Sequence, residues 1–348
     1  MPPARVDADH SPGGRMIPRV KDIYEVVALD GRVRHIRSGE EVVLEVAGRR
    51  RELLERLLAA LDGRKDVAVL AAELADVADA GAVRAAVAFL VAEGIVADAA
   101  AAAGAVPEAL RSQAAYLSHS LSDPAAAIET LARTRCRVIG DGPSAEMLAE
   151  ELKAHGLGGV EASVLAPAEA GAPQRDGARC LADLAEADAD VAAVVTETFQ
   201  PQLCREANRA LLAAGRPALY VDLASGNHGV IGPMVVPAQT SCYACYEARL
   251  LAAGDNDRER LDYEAFLRTR PARRAFGHLP ALDRMTVCLA AVELLSYLTG
   301  YRAARTIDGA LIVDFHEPAI TREPVLKLPA CEACGLLRTP AGGGGRAP

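Results

Sequence analysis

No stretch of about 18 apolar residues without charge occurs in the 348-residue sequence, so a membrane-spanning helix is not expected. Residues 1–18 hold Pro, Gly, Asp and Arg and lack an apolar run of signal-peptide length. The chain is therefore expected to be soluble and cytoplasmic, with no membrane partner. Excess positive charge is missing as well. Thirty-eight Lys and Arg against 47 Asp and Glu give a net charge of −9, the wrong sign for the basic footprint of general nucleic-acid binding. Lysine is absent between Lys153 and Lys327. What is present is apolar: hydrophobic residues make up 51% of the chain, enough to build the cores of two or three domains.

Eight cysteines occur, and four share one spacing in two distant pairs, Cys242-Tyr243-Ala244-Cys245 and Cys331-Glu332-Ala333-Cys334. Two intervening residues let both sulfurs of a pair face one ion, so the duplicated pattern predicts a tetrathiolate structural zinc site with no position open for water. Disulfides, a redox pair or unrelated thiols are the competing readings. A reducing compartment favours metal thiolates over disulfides. Cys136, Cys180, Cys204 and Cys288 are scattered in apolar surroundings and read as ordinary buried thiols.

After a disordered start (1–18), residues 19–98 read as a small module. Two β-rich runs, 23–29 and 32–37, flank Asp30-Gly31, a hairpin-turn dipeptide, and a third run covers 41–46. The period then changes: Leu53, Leu54, Leu57, Leu58 and Leu61 recur at helical spacing before Asp62-Gly63, and two more helices fit 67–74 and 82–92. Three strands followed by three helices predict a winged-helix-like fold. Only Arg84 on the third helix offers a base-contacting cation, which argues against DNA reading. Such a module can instead extend its sheet with a bound peptide. The candidate docking surfaces are the strand Val42, Val43, Leu44, Glu45 and Val46, and the third-helix face carrying Arg84, Val87 and Leu90. Val87 and Leu90 also fit a plain core role.

Residues 99–133 read as linker helices, including 108–120 and a helix opened by Asp123-Pro124. From 134 to 340 strands alternate with helices, predicting a mostly parallel, doubly wound Rossmann-type sheet. Its first unit is a strand followed by Gly140-Asp141-Gly142-Pro143-Ser144-Ala145 and a helix, an incomplete version of the glycine turn that presents a helix N-terminus to phosphate. Gly140 and Gly142 are thus candidate, degenerate nucleotide-binding residues. Residues 341–348 read as a flexible tail.

The order of parts then becomes recognisable. Thr196-Glu197-Thr198-Phe199, a helix bearing Arg205 and Asn208, Tyr220-Val221-Asp222, Gly229-Val230-Ile231-Gly232-Pro233-Met234-Val235-Val236-Pro237, and both cysteine pairs resemble the ThiF/MoeB superfamily of protein-activating adenylyltransferases. Together with the N-terminal module, the chain resembles the Ocin-ThiF-like partner proteins of azole and azoline peptide biosynthesis. That resemblance implies a RiPP recognition element at the N-terminus and a precursor leader peptide and a YcaO cyclodehydratase as partners; the superfamily commonly forms homodimers, which the sequence leaves open for this chain.

Departures from the superfamily bear on mechanism. Glu161 is the one stand-in for its ribose-binding acid, no Asn-Leu-x-Arg-Gln segment follows, and the phosphate-facing lysine has no counterpart. Adenylation needs cations to offset phosphoryl charge, so ATP-Mg binding and catalysis are not expected of this chain, although Glu197 stands near the position of a magnesium ligand. His228, His278 and His316 read as loop or satisfied polar residues before acid/base groups. The expected function is leader capture and presentation to an ATP-using partner. The alternative is an ATP-dependent adenylyltransferase acting on a peptide.

Overall fold

The computed structural model describes residues 16–29, 32–46, 50–99, 106–165, 188–253, 257–267, 277–317 and 319–335. The Asp30-Gly31 turn, most of the alanine run, Cys180 and the tail 341–348 lie outside them. The chain divides into two compact units, residues 1–129 and 130–348.

In the first unit, β1 (Pro18–Val20), β2 (Glu25–Leu29), β3 (Arg32–Ser38) and β4 (Glu41–Glu45) precede the helices α1 (Arg51–Ala60), α2 (Val67–Glu73) and α3 (Ala80–Ala92), and β5 (Val96–Asp98) follows. Strands β2, β3 and β4 form an antiparallel sheet in that order. β5 returns to pair antiparallel with β1, Pro18 opposite Asp98. Sequence reasoning missed this ladder, because three-residue strands are too short to show a period-2 pattern, and β1 begins inside the stretch read as disordered.

The leucine period of α1 buries Leu53, Leu57 and Leu58 against Ile36 of the sheet and Leu70, Val87 and Leu90 of the following helices. Asp66 caps α2, its carboxylate accepting from Val69 N at 2.7 Å. The cap satisfies a donor that the first helical turn leaves unpaired. Asp66→Ala is expected to lower the unfolding free energy of this unit by about 1 kcal/mol, read as a shift in the urea midpoint at unchanged slope.

A 3₁₀ turn (Glu108–Leu110), α4 (Arg111–Leu117) and α5 (Pro124–Arg133) lead into the second unit. There β6 (Arg135–Gly140), α6 (Pro143–Ala154), β7 (Gly159–Val164), β8 (Val191–Thr196), α7 (Pro201–Ala213), β9 (Ala218–Asp222), β10 (His228–Val235), α8 (Tyr243–Ala253), α9 (Asp257–Leu267), α10 (Pro280–Thr299), β11 (Gly309–Asp314) and β12 (Ile320–Pro324) follow. One sheet of seven strands runs β12-β11-β10-β9-β8-β6-β7.

Pairs β6–β7, β6–β8 and β8–β9 are parallel, whereas β9–β10, β10–β11 and β11–β12 are antiparallel. The sheet is therefore mixed, and the expectation of a mostly parallel one holds only for its first half. Only residues 223–227 separate β9 from β10, and 315–319 separate β11 from β12. Connections so short admit a hairpin and exclude the crossover that parallel pairing needs.

Central strand β8 is buried along its whole length, as its uninterrupted apolar run Val191–Val195 requires of a strand covered on both faces. The chain steps from β6 to β7 in one direction and from β8 to β9 in the other. With right-handed crossovers, α6 and α7 consequently lie on opposite faces, and a crevice opens at the C-terminal ends of β6 and β8. On the α7 face, Leu203, Ala207 and Leu211 pack with Ile139, Ala192, Val194 and Tyr220.

Candidate metal centre and the turn after β6

The four paired cysteines meet on the α7 face. The first pair sits at the start of α8 and the second in the turn after β12, and all four sulfurs lie within 4.8 Å of one another. Cys242 Sγ is 3.8 Å from Cys245 Sγ and 3.7 Å from Cys331 Sγ, and Cys245 Sγ is 3.5 Å from Cys334 Sγ. A tetrahedron with metal–sulfur bonds of about 2.3 Å has edges of about 3.8 Å, so the donor set and its spacing fit zinc. Cys242, Cys245 and Cys331 are buried and Cys334 is half-buried. Leu328 N, 3.4 Å from Cys245 Sγ, donates to the cluster, as amides do around metal thiolates. Burial pushes the Cys242 thiol up to about 11. Without a metal that sulfur holds its proton at neutral pH, and binding a metal expels it.

Of the other four cysteines, Cys136 and Cys204 are buried and Cys288 is half-buried. Burial pushes the Cys136 thiol up to about 12, the state of an inert core thiol.

The turn after β6 is filled from within. Glu197, just beyond β8, is buried, and its carboxylate accepts from Ser144 N at 2.6 Å in the first turn of α6. A Cβ at Gly142 would lie 2.4 Å from Glu197 Cδ, and one at Gly140 would lie 2.5 Å from the Val195 carbonyl oxygen. Both glycines thus serve close packing of the turn on β8. Asp141 accepts from Glu197 N at 2.6 Å and Thr198 N at 3.1 Å, and Thr198 Oγ1 donates to it as well. Desolvation raises the Asp141 pKa above the ordinary carboxylate value.

The phosphate-binding position of such a turn is the helix N-terminus, and here a carboxylate of the same chain sits on it. Sequence reasoning placed Glu197 near a magnesium position and missed its contact with Ser144. The two residues are 53 apart, and nothing local signals the contact.

The remaining candidates are dispersed. Glu161, the stand-in ribose acid, is exposed on β7 and pairs with Arg137. His228 Nδ1 lies 3.0 Å from Ser225 Oγ within the β9–β10 turn. His316 contacts Asn227 at 3.4 Å, and His278 is 3.9 Å from Asp283. Arg205 on α7 joins three helices: its Nε donates to Glu247 Oε2 on α8 at 2.7 Å, and its two terminal nitrogens donate to the two Glu264 oxygens on α9 at 3.0 and 2.8 Å.

In the first unit the expected peptide-docking residues separate. Val42 (50% exposed) and Val43 (38%) face outward on β4, an edge strand of its sheet. Glu45 and Arg84 are exposed and Leu44 is half-buried. Val46, Val87 and Leu90 lie in the core, because the helical spacing that suggested a docking face is the spacing of the buried face. Phe89 and Val91, which sequence reasoning did not single out as docking residues, are the large apolar side chains that α3 exposes.

Among the described residues no helix is long and apolar enough to cross a membrane. No protein-family model matches the sequence, and no curated protein matches it. Solved structures do. The heterocyclase TruD superposes with a TM-score of 0.66 at 18% identity over 92% of this chain and 43% of its own. A heterocyclase solved with substrate and cofactor gives 0.64 at 18% identity, over 92% of this chain and 40% of its own. The chain thus spans less than half the length of these two proteins. MccB of E. coli, solved with ATP, gives 0.64 at 12% identity over 91% of this chain and 99% of its own. At such identities the likeness is one of fold alone, a mixed α/β architecture shared with these structures.

Proposed function

We propose that this chain captures the leader of a ribosomally made precursor peptide on its first unit and presents the peptide to a separate YcaO cyclodehydratase docked on its second. That enzyme uses ATP to convert Cys, Ser or Thr of the core peptide to azolines. The first unit's three antiparallel strands and three helices are consistent with a winged-helix-like recognition element. β4 offers its free edge to an incoming strand, the main chain supplying affinity and neighbouring side chains specificity. Zinc in the cysteine cluster is structural, since four thiolates leave no position for substrate. Capture and docking raise the effective concentration of core peptide at the partner's active site, so the chain needs no chemistry of its own.

The observation that carries this reading is the Glu197 carboxylate on the N-terminus of α6. A negative group there repels the phosphates it displaces, and no lysine between residues 153 and 327 compensates. Similar proteins named as heterocyclases and MccB solved with MccA support a peptide partner.

A second reading, an ATP-dependent adenylyltransferase acting on a peptide, draws on the likeness to MccB, which was solved with ATP. Calorimetric titration of the zinc-loaded protein separates the two. The expected result is saturable binding of the leader peptide and no heat of binding with Mg-ATP. Stoichiometric Mg-ATP binding by this chain alone would sink the scaffold reading and promote adenylation.

A further inference from the structure

The first unit carries a cavity of about 530 Å³ lined by the β1–β5 ladder and by residues of α4 and the start of α5, within the size range of small-molecule sites. Its described lining takes nothing from β2, β3 or β4, so it is separate from the peptide-docking edge. Val20, Ala97, Val106, Ala114 and Ala115 make much of the wall apolar.

Lys21, one of four lysines in the chain, lines this cavity just after β1. Its main-chain N donates to the Ile95 carbonyl at 3.0 Å, which fixes where the side chain starts. Its Nζ donates to the carbonyl of Ser118 at 2.8 Å, and Ser118 lines the cavity too. An ammonium has three donors, and among the described residues this is the one acceptor it meets.

The other charges of the lining are matched. Arg19 pairs with Asp22 at 2.6 Å and Arg111 with Glu108 at 2.7 Å. Asp98 accepts from Ile17 N at 3.0 Å, and Asp123 accepts from Ala126 N at 2.9 Å. Lys21 is the lining cation that no described carboxylate pairs with. It is half-buried, and desolvation lowers its pKa from the ordinary lysine value. An ammonium kept away from water without a counter-ion costs folding free energy, the kind of cost that function retains.

One ammonium with unspent donors matches one carboxylate, and the bonds between them are charge-assisted. A phosphate dianion would bring a second negative charge that the lining does not offset, and Asp98 and Asp123 would repel it. A cationic ligand would meet Lys21 itself. We propose that this cavity binds a small free monocarboxylic acid, its carboxylate on Lys21 Nζ and its short apolar body against Val20, Val106 and the alanine wall. The site stands apart from the function proposed above and does not depend on it.

The test uses the full-length zinc-loaded protein with its lysines labelled with carbon-13, so that four side chains report, and sodium hexanoate as the probe. Hexanoate is expected to move the Lys21 Cε–Hε signal saturably and to leave Lys65, Lys153 and Lys327 in place, whereas hexylamine and inorganic phosphate move none of them. By calorimetry, Lys21→Met and the cavity-filling Ala115→Phe should each weaken hexanoate binding about tenfold or more. Lys21→Met removes the uncompensated charge, so the urea midpoint of the first unit should not fall. That result separates a ligand-binding lysine from one that only ties β1 to α4. Should Ala115→Phe unfold the unit, Lys21→Met decides alone. A capped peptide with a single glutamate separates the two sources of a carboxylate: its exclusion supports a free acid, and binding as tight as that of hexanoate would overturn it. No saturable shift at Lys21, or wild-type hexanoate affinity in Lys21→Met, would overturn the site.

Discussion

Cys245→Ser should strip the metal from this protein. Cys245 has no solvent exposure, and its sulfur sits 3.8 Å from Cys242 Sγ and 3.5 Å from Cys334 Sγ. The variant puts a weakly acidic hydroxyl where a buried thiolate ligand is needed. Structural zinc contributes about 10–16 kcal/mol where the metal is the whole reason for folding. Here the sheet has its own apolar core, so the expected loss is smaller, on the order of 3–5 kcal/mol, and is concentrated in the second unit.

The zinc-to-protein ratio by elemental analysis should fall from one per chain to near zero, and the urea midpoint of the second unit should fall with it. Cys288→Ser, a half-buried thiol outside the cluster, should change neither. Wild-type protein carrying no metal after purification without chelator would refute the zinc assignment and return the cysteines to a redox or disulfide reading.

The second large effect is expected at Arg205. Its guanidinium makes three hydrogen bonds to two carboxylates, Glu247 and Glu264, whose side chains are each only 8% exposed. Arg205→Ala leaves both charges without a counter-ion in a site poorly reached by water. Breaking a buried pair by deleting one member costs about 3–5 kcal/mol, more than the pair itself is worth, because the remaining charge is stranded. Arg205→Lys should recover only part of the loss. A single ammonium cannot reproduce the planar fork that meets both Glu264 oxygens while Nε serves Glu247.

Urea unfolding of the two variants, closed into a cycle with Glu264→Gln, measures the coupling. An Arg205→Ala variant as stable as wild type would show that the network contributes nothing net. Because Glu264 lies on α9, the same variant should also make that helix the first target of limited proteolysis.

How much of this was legible in the sequence depends on the range of the interactions involved. The Leu53, Leu57, Leu58 period and the Val191–Val195 run are local patterns, and each gave its element within a residue or two. The cysteine pairs are nonlocal partners that chemistry nonetheless labels, since two identical spacings have few uses other than one ion. The antiparallel half of the sheet could have been read from the short link 223–227, but alternation of strands and helices further upstream carried the expectation of parallel pairing past it.

Val87 and Leu90, read either as a docking face or as core, are core. Helical periodicity names a face without saying what covers it, and here that face is spent on Ile36 and Leu57. The contact of Glu197 with Ser144 lay beyond sequence reasoning, because it depends on the parallel pairing of β6 with β8.

The clasp also sets a timetable for the newly made chain. Its two halves are 89 residues apart, so the first cysteine pair leaves the ribosome well before the second exists. At about 5–20 residues per second the wait is roughly 4–18 s. During that interval Cys242 and Cys245 are a two-thiol half-site, open to oxidants and to any metal that accepts two sulfur ligands. All seven strands, through β12, precede the second pair, so the sheet can assemble before the clasp closes, but the α7 face is locked only when Cys334 emerges. If zinc fills the cluster, its supply at the site of synthesis bears on how much of the chain closes this clasp.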